Sequence, residues 1–304
     1  MKNLTWGVFI LAFAATPALA EPTLYGKANL SFQTADEGDE SMTELKSNAS
    51  RIGVKGDYKV DDKITAIYKA EFEVQFDDGD KEGETFSQRN IYLGLKGDFG
   101  TVKAGKFDTP LKTAQKKVDL FNDLEGDIKN VITVNDNRAD NIVGYETPEF
   151  SNFKGNVAFV ASEEDGVSDG ISASVTYAVD ALYVAAALDQ NVESEDIDTL
   201  RLVAQYNIGD FQIGALYESM DDEAAEEDVD AIFVSVKYKM GDLALKAQLG
   251  SSDVVVEDGE TLSIGADYTL AKNLKTFAYY TQSESDSVDG VDNDYLGVGI
   301  ELKF

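Results

Sequence analysis

The feature that most restricts this chain is an alternation of period two. It recurs in many strand-length segments and places charge on one face and apolar side chains on the other. The closing stretch YLGVGIELKF (295–304) sets Leu296, Val298, Ile300, Leu302 and Phe304 against Gly297, Gly299, Glu301 and Lys303. DAIFVSVKYKM (230–240) sets Ile232, Val234, Val236, Tyr238 and Met240 against Phe233, Ser235, Lys237 and Lys239. TLRLVAQYNI (199–208), TLSIGADYTL (261–270) and ITAIYKAEFEVQF (64–76) repeat the pattern, the last with Lys69, Glu71, Glu73 and Gln75 on its polar face. Successive side chains of a strand point to opposite faces, so each segment reads as a half-apolar strand.

The links between these segments are of two kinds, and they alternate. YKVDD (58–62), GDFG (97–100), VDA (179–181), GD (209–210), GD (241–242) and AKN (271–273) carry the Gly, Asp and Asn chemistry of tight hairpins. The other links are longer and acidic: DEGDE (36–40), DDGDKEGE (77–84), SEEDGVSD (162–169), ESEDID (193–198), DDEAAEED (221–228), DVVVEDGE (253–260) and SESDSVDGVDND (283–294). Counting between them gives about sixteen strands, each near the 9–11 residues that cross a bilayer at a tilt. Short turns at one end, long loops at the other and an even strand number describe an all-β fold, a transmembrane antiparallel β-barrel. The soluble alternative is a β-sandwich with one wet face. It needs few charges on its inner face, whereas the polar face here carries Lys, Arg, Glu and Gln along most strands. In a barrel the apolar face meets lipid, the charged face meets water in the lumen, and closure removes the sheet edges.

Residues 1–20 stand apart. Lys2 is their one charge, an apolar stretch follows, and Ala18-Leu19-Ala20 is a small-x-small cleavage signal before Glu21. This layout is that of a secretory signal peptide, and the apolar part is shorter than the roughly 20 residues of a spanning helix. Residues 21–304 then form one barrel domain, since no Pro/Gly/Ser linker divides them. The chain has no His and no Cys. That excludes Ser-His-Asp and Cys-His catalysis and His-ligated zinc; carboxylate, Lys or Ser-Lys chemistry remains, but the sequence places no such pair at a catalytic distance, and no enzyme is expected. The net charge of −31 argues against a nucleic-acid partner. Acidic runs such as Asp221–Asp228 supply hard oxygen ligands for weak Ca²⁺ or Mg²⁺ binding, but no spacing matches an EF-hand, and a solvated repulsive surface is the favoured reading.

One segment breaks the alternation. Between TVKAGKF (101–107) and NIVGYETP (141–148) runs DTPLKTAQKKVDLFNDLEGDIKNVITVNDNRAD. A structureless loop of this length is uncommon unless functional. It holds apolar anchors (Leu111, Val118, Leu120, Phe121, Leu124, Ile128) that a purely external loop does not need. We therefore expect a loop that folds back, packs on the inner wall and narrows the lumen.

At these residues the chain resembles the Gram-negative general diffusion porins, the trimeric sixteen-stranded family. The resemblance rests on TLYGKANLSF (23–32), SRIGVKG (50–56), RNIYLGLKGDFGTVKAGKFDTP (89–110), DLFNDLEGD (119–127), RADNIVGYETPEFSNFKG (138–155) and the terminal Phe304. It implies a long third loop inside the lumen, with basic wall residues facing acids on that loop. By matching position the basic side is Lys27, Arg51, Arg89 and Arg138. The acidic side is Asp119, Asp123, Glu125 and Asp127, with Asp123 and Glu125 foremost. The alternation itself places Arg51 opposite the apolar face of Ile52 and Val54, fits Lys27 less cleanly, and leaves the phase of Arg89 open. The resemblance also implies an outer-membrane homotrimer among lipid and lipopolysaccharide, and a terminal Phe304 read by the barrel-assembly machinery. The expected function is passive diffusion of small hydrophilic solutes and ions, with modest cation selectivity from the acidic mouth. The competing reading is a surface or receptor barrel whose acidic loops bind a partner.

Overall fold

A computed structural model describes residues 21–77, 86–223, 226–285, 287 and 292–304. The expected signal peptide and most of the 77–84 link lie outside these residues. No helix among the described residues is long and apolar enough to cross a membrane.

The chain forms a single antiparallel sheet in which each strand pairs with the next in sequence, save that β2 and β3 both pair with β1. β1 (Thr23–Glu37) pairs along its second half with β2 (Glu40–Ser47) and along its first half with β3 (Arg51–Lys59). These two segments are halves of one barrel strand, interrupted at 48–50, where Ala49 takes φ 48°. The Asn29 N–H, freed from the ladder there, donates to Ser50 Oγ at 2.9 Å. β4 (Ile64–Val74), β5 (Phe86–Gly97) and β6 (Gly100–Asp108) follow. Two short helices, α1 (Pro110–Ala114) and α2 (Ile128–Val131), lie in the non-alternating segment. The wall continues through β7 (Arg138–Glu146), β8 (Phe153–Val160), β9 (Gly170–Val179), β10 (Leu182–Gln190), β11 (Ile197–Ile208) and β12 (Phe211–Asp222). It ends with β13 (Glu227–Met240), β14 (Leu243–Ser252), β15 (Gly259–Ala271), β16 (Leu274–Ser285) and β17 (Asp292–Lys303). With β2 and β3 counted together, the 17 segments make a sixteen-stranded barrel.

β17 closes the barrel on β1, from Lys27 opposite Lys303 to Glu37 opposite Asn293. The chain end is fastened as well. Gly26 N–H donates to the Phe304 carbonyl at 2.9 Å, and Phe304 N–H donates to Gly26 O at 3.1 Å. The Phe304 ring lies over Gly26, where an added Cβ would stand 2.3 Å from it, so only glycine admits the ring.

Residues opposite each other in a ladder share a face, so the register sorts the wall. Leu296, Val298, Ile300 and Leu302 are exposed, with the matching positions Leu200, Leu202, Ile232, Val234 and Ile264. That continuous apolar exposure is what a barrel shows to lipid. The alternate positions carry the charges and are mostly covered. In one respect the strands exceed expectation. The acidic link at 36–40 is a tight turn at Gly38–Asp39, because β1 runs to Glu37 and β2 starts at Glu40. Likewise β11 begins at Ile197, inside ESEDID. Ladder hydrogen bonds are made by the backbone, so acids beyond the apolar band extend a strand as readily as they end it.

The segment from 109 to 137 lies against the polar face of the wall. Its apolar side chains Leu111, Val118, Phe121, Ile128 and Ile132 are fully buried. Wall side chains satisfy its backbone in succession. Ser172 on β9 accepts from Leu111 N–H (3.2 Å), and Tyr183 on β10 donates to Ala114 O (2.8 Å). Gln212 on β12 donates to Lys117 O (2.8 Å), Lys246 on β14 to Leu120 O (3.0 Å) and Ser252 to Ile132 O (2.6 Å). Buried backbone groups must be paired, and here the wall supplies the pairing that a helix or strand would give internally.

Candidate functional site

Lys27 on β1 and Arg51 on β3 stand directly opposite each other on the polar face. Both reach the loop. Lys27 Nζ is bonded to Asp123 Oδ2, and Arg51 Nη2 lies 3.0 Å from the same oxygen. Burial alone would raise the Asp123 acid, but the Lys27 ammonium and then the Arg51 guanidinium hold it below the usual carboxylate range. Glu125 takes a bond from Lys46 Nζ and another from Gln33 Nε2 at 2.7 Å. Asp123 and Glu125 are thus the two acids of DLFNDLEGD that meet wall cations, and Asp136 farther along the loop lies 3.9 Å from Arg201. Asp123 and Glu125 meet theirs in direct contact.

The other expected residues sit differently. Arg89 lies at a β-bulge. The register jumps from Ala70 opposite Ile91 to Phe72 opposite Gln88, so Glu71 faces both Arg89 and Asn90. That doubled position is why the phase of QRNIYLG cannot be read by alternation. Arg89 binds wall acids, Glu71 at 3.3 Å and also Glu73. Arg138 Nε lies 2.8 Å from Asp108 Oδ1, again on the wall. Asp119 and Asp127 shape the loop itself. Asp119 Oδ1 accepts from Phe121 N–H at 3.0 Å. Asp127 caps α2, accepting from Lys129 N–H at 3.1 Å, and its other oxygen accepts from Asp123 N–H at 2.7 Å. Burial raises both acids, and Asp127 beside Asp119 raises Asp119 further.

The alternation pattern placed Arg201 on the polar face without marking its importance. Arg201 and Glu218 face each other across β11 and β12, and both side chains are 0% exposed. Arg201 Nε donates to Glu218 Oε2 at 2.6 Å, Nη1 to Gln115 Oε1 at 3.1 Å and Nη2 to Thr133 Oγ1 at 3.1 Å. Asn135 Nδ2 donates to Glu218 Oε1 at 3.1 Å. One buried ion pair therefore ties both arms of the loop to the wall. Gly126 allows the closest approach at the tip, since a Cβ there would stand 2.2 Å from Ser263 Oγ. Lys46 was also missed; it follows Leu45 in the alternation, and nothing in the sequence distinguishes it from other wall lysines.

Among the described residues, no group of three or more Asp or Glu is arranged to hold a metal ion. Ala224 and Ala225 of the acidic run 221–228 lie outside the described residues.

The profile of the Gram-negative porins matches residues 7–288. Over 173 residues the chain is 31% identical to the major outer membrane protein P.IB of Neisseria lactamica, covering 52% of this chain and 50% of that protein. The chain thus spans about half the length of the first curated relatives it matches. It is 26% identical over 247 residues to outer membrane porin protein 32 of Delftia acidovorans, covering 71% of this chain and 69% of that one. Among solved structures it is similar to the anion-selective porin from Comamonas acidovorans, with TM-score 0.79 at 21% identity over 94% of this chain and 100% of that one. It is also similar to OmpT of Vibrio cholerae in its trimer form, with TM-score 0.71 at 20% identity over 94% of this chain and 100% of that one. Profile, relatives and barrel agree, and the chain belongs to the Gram-negative porin family of the outer membrane.

Proposed function

We propose that the protein is a passive channel for small hydrophilic solutes and ions, narrowed by the loop 109–137 folded into the lumen. The observation that carries this reading is the row of wall-to-loop bonds on one face of strands from β9 to β14, with further bonds to β1 and β2. A single loop reaches the same face of so many strands only from inside the closed barrel. Lys27 and Arg51 on the wall and Asp123 and Glu125 on the loop border the narrowed passage in this reading, with Arg89 and Arg138 behind them.

For selectivity we infer a modest preference for cations at low salt, set by the acids beyond the long-loop ends of the strands. The Debye length shrinks from about 30 Å at 0.01 M to about 3 Å at 1 M, so this preference fades as salt rises. Unpaired wall lysines and the anion-selective structural neighbour favour the second reading, a net preference for anions. The reversal potential in a KCl gradient decides between them. A cation-sided potential that declines with salt supports the first, and an anion-sided potential at every salt overturns it.

The same proposal covers what surrounds the barrel. Residues 1–20 act as a cleaved signal, and three copies assemble in the outer membrane among lipid and lipopolysaccharide, as the trimer form of one structural neighbour supports. Phe304 serves the barrel-assembly machinery as well as the seam. Its deletion removes a ring from Gly26 and two backbone hydrogen bonds. We expect the yield of folded barrel in outer-membrane fractions to fall several-fold while each surviving channel conducts normally. Full yield from the deleted chain would count against this role.

A further inference from the structure

The loop bonds to or packs on wall strands from β9 to β16. Along β3 to β9 lies a cavity of about 630 Å³, bordered on the loop side by Pro110, Thr113 and Ala114. It lies toward the short-turn ends of the strands, between Lys55, Lys96, Lys103 and Lys154 and the acids Asp57, Asp108 and Glu146.

Pairing separates these charges. Glu146 holds Lys154 at 2.7 Å, and Asp108 is held by Arg138 at 2.8 Å. Among the described residues, no carboxylate lies within 4.0 Å of the Lys55, Lys96 or Lys103 ammonium. Asp57 is the one lining acid outside these pairs, so three free ammoniums face one free carboxylate.

Their placement works against the sheet. Lys55 stands directly opposite Lys69, and like charges at such positions destabilise a ladder. Aromatic rings hold two of the three lysines instead of acids. Lys55 Nζ lies 5.1 Å from the Tyr25 ring centre, and Lys103 Nζ lies 5.1 Å from that of Tyr92 and 4.0 Å from that of Phe107. A ring steadies an ammonium without cancelling its charge or engaging it as a carboxylate would.

We propose that this cavity is a binding subsite for small multivalent carboxylates, with separate carboxylates reaching Lys55, Lys96 and Lys103. Rings beneath Lys55 and Lys103 hold two of the donors in place, and the low lining of fixed acids leaves room for the ligand's charge. The inference rests on the channel reading above.

Citrate tests it in planar bilayers holding the full-length processed protein. At constant KCl, citrate added on the short-turn side should block current in a voltage-dependent way, and acetate at equal concentration should not. Lys96→Gln and Lys103→Gln should each weaken the block about tenfold, the loss of one charge-assisted contact. Lys272→Gln, in the turn at the same end but outside the lining, should leave it unchanged. Citrate without effect from either side, or equal block in the Lys96→Gln/Lys103→Gln double variant, overturns the subsite. A protein that gives no conductance at all instead overturns the channel reading on which it rests.

Discussion

Arg201→Met should release the loop from the wall. It leaves Glu218 buried and uncompensated, and removes the donors that hold Gln115 and Thr133. Removing one partner of a buried pair costs about 3–5 kcal/mol, because the remaining charge keeps its desolvation penalty. The expected readouts are a lower midpoint of thermal unfolding in detergent and a noisy open channel in which the loop moves in and out of the current path. The double variant Arg201→Met/Glu218→Leu should recover most of the midpoint, since an apolar pair of similar volume replaces both charges. It should remain noisier than the native channel, because neither new side chain can bond the loop. A quiet channel and an unshifted midpoint in the single variant would show that the loop is held elsewhere.

Asp123→Asn should shift selectivity toward anions more than any other change at a loop acid. Asp123 neutralises two cations, and Lys27 is only 5% exposed, so its ammonium has little water to replace the lost partner. One added unit charge contributes about 0.7 kcal/mol at roughly 8 Å and an effective dielectric near 60, or about threefold in relative permeability. Asp119→Asn and Asp127→Asn should move the reversal potential far less and the thermal midpoint more, because those carboxylates bond the loop backbone. Equal shifts in all three variants would contradict this division.

These two sites also mark how far the sequence could be read. The wall was legible because its physics is local. A period of two, bounded by Gly, Asp and Asn turns, assigns lipid and lumen faces residue by residue, and the exposed positions Leu296 to Leu302 are those the alternation names. Acid-rich links were less legible, since nothing in DEGDE says whether the ladder continues to Glu37. A bulge at Arg89 and Asn90 erases phase by inserting one residue, and periodicity alone cannot detect it. Within the loop the apolar anchors announced packing, and all but Leu120 and Leu124 are fully buried. What they pack on is a long-range matter. The meeting of Asp123 with Lys27 joins residues 96 apart, and that of Thr133 with Arg201 residues 68 apart. Four acids within DLFNDLEGD look alike in sequence. Only the fold separates Asp123 and Glu125, which meet wall cations, from Asp119 and Asp127, which close turns of the loop.

The central claim is that the loop lies inside the barrel and leaves a polar passage open beside it. Single-channel conductance of the purified protein in a planar bilayer tests it most directly. The account predicts steady, ohmic steps arriving in threes, as three barrels of a trimer open independently. A silent protein, or one that conducts only after residues 109–137 are cut away, would mean that the loop plugs the barrel and would contradict the account.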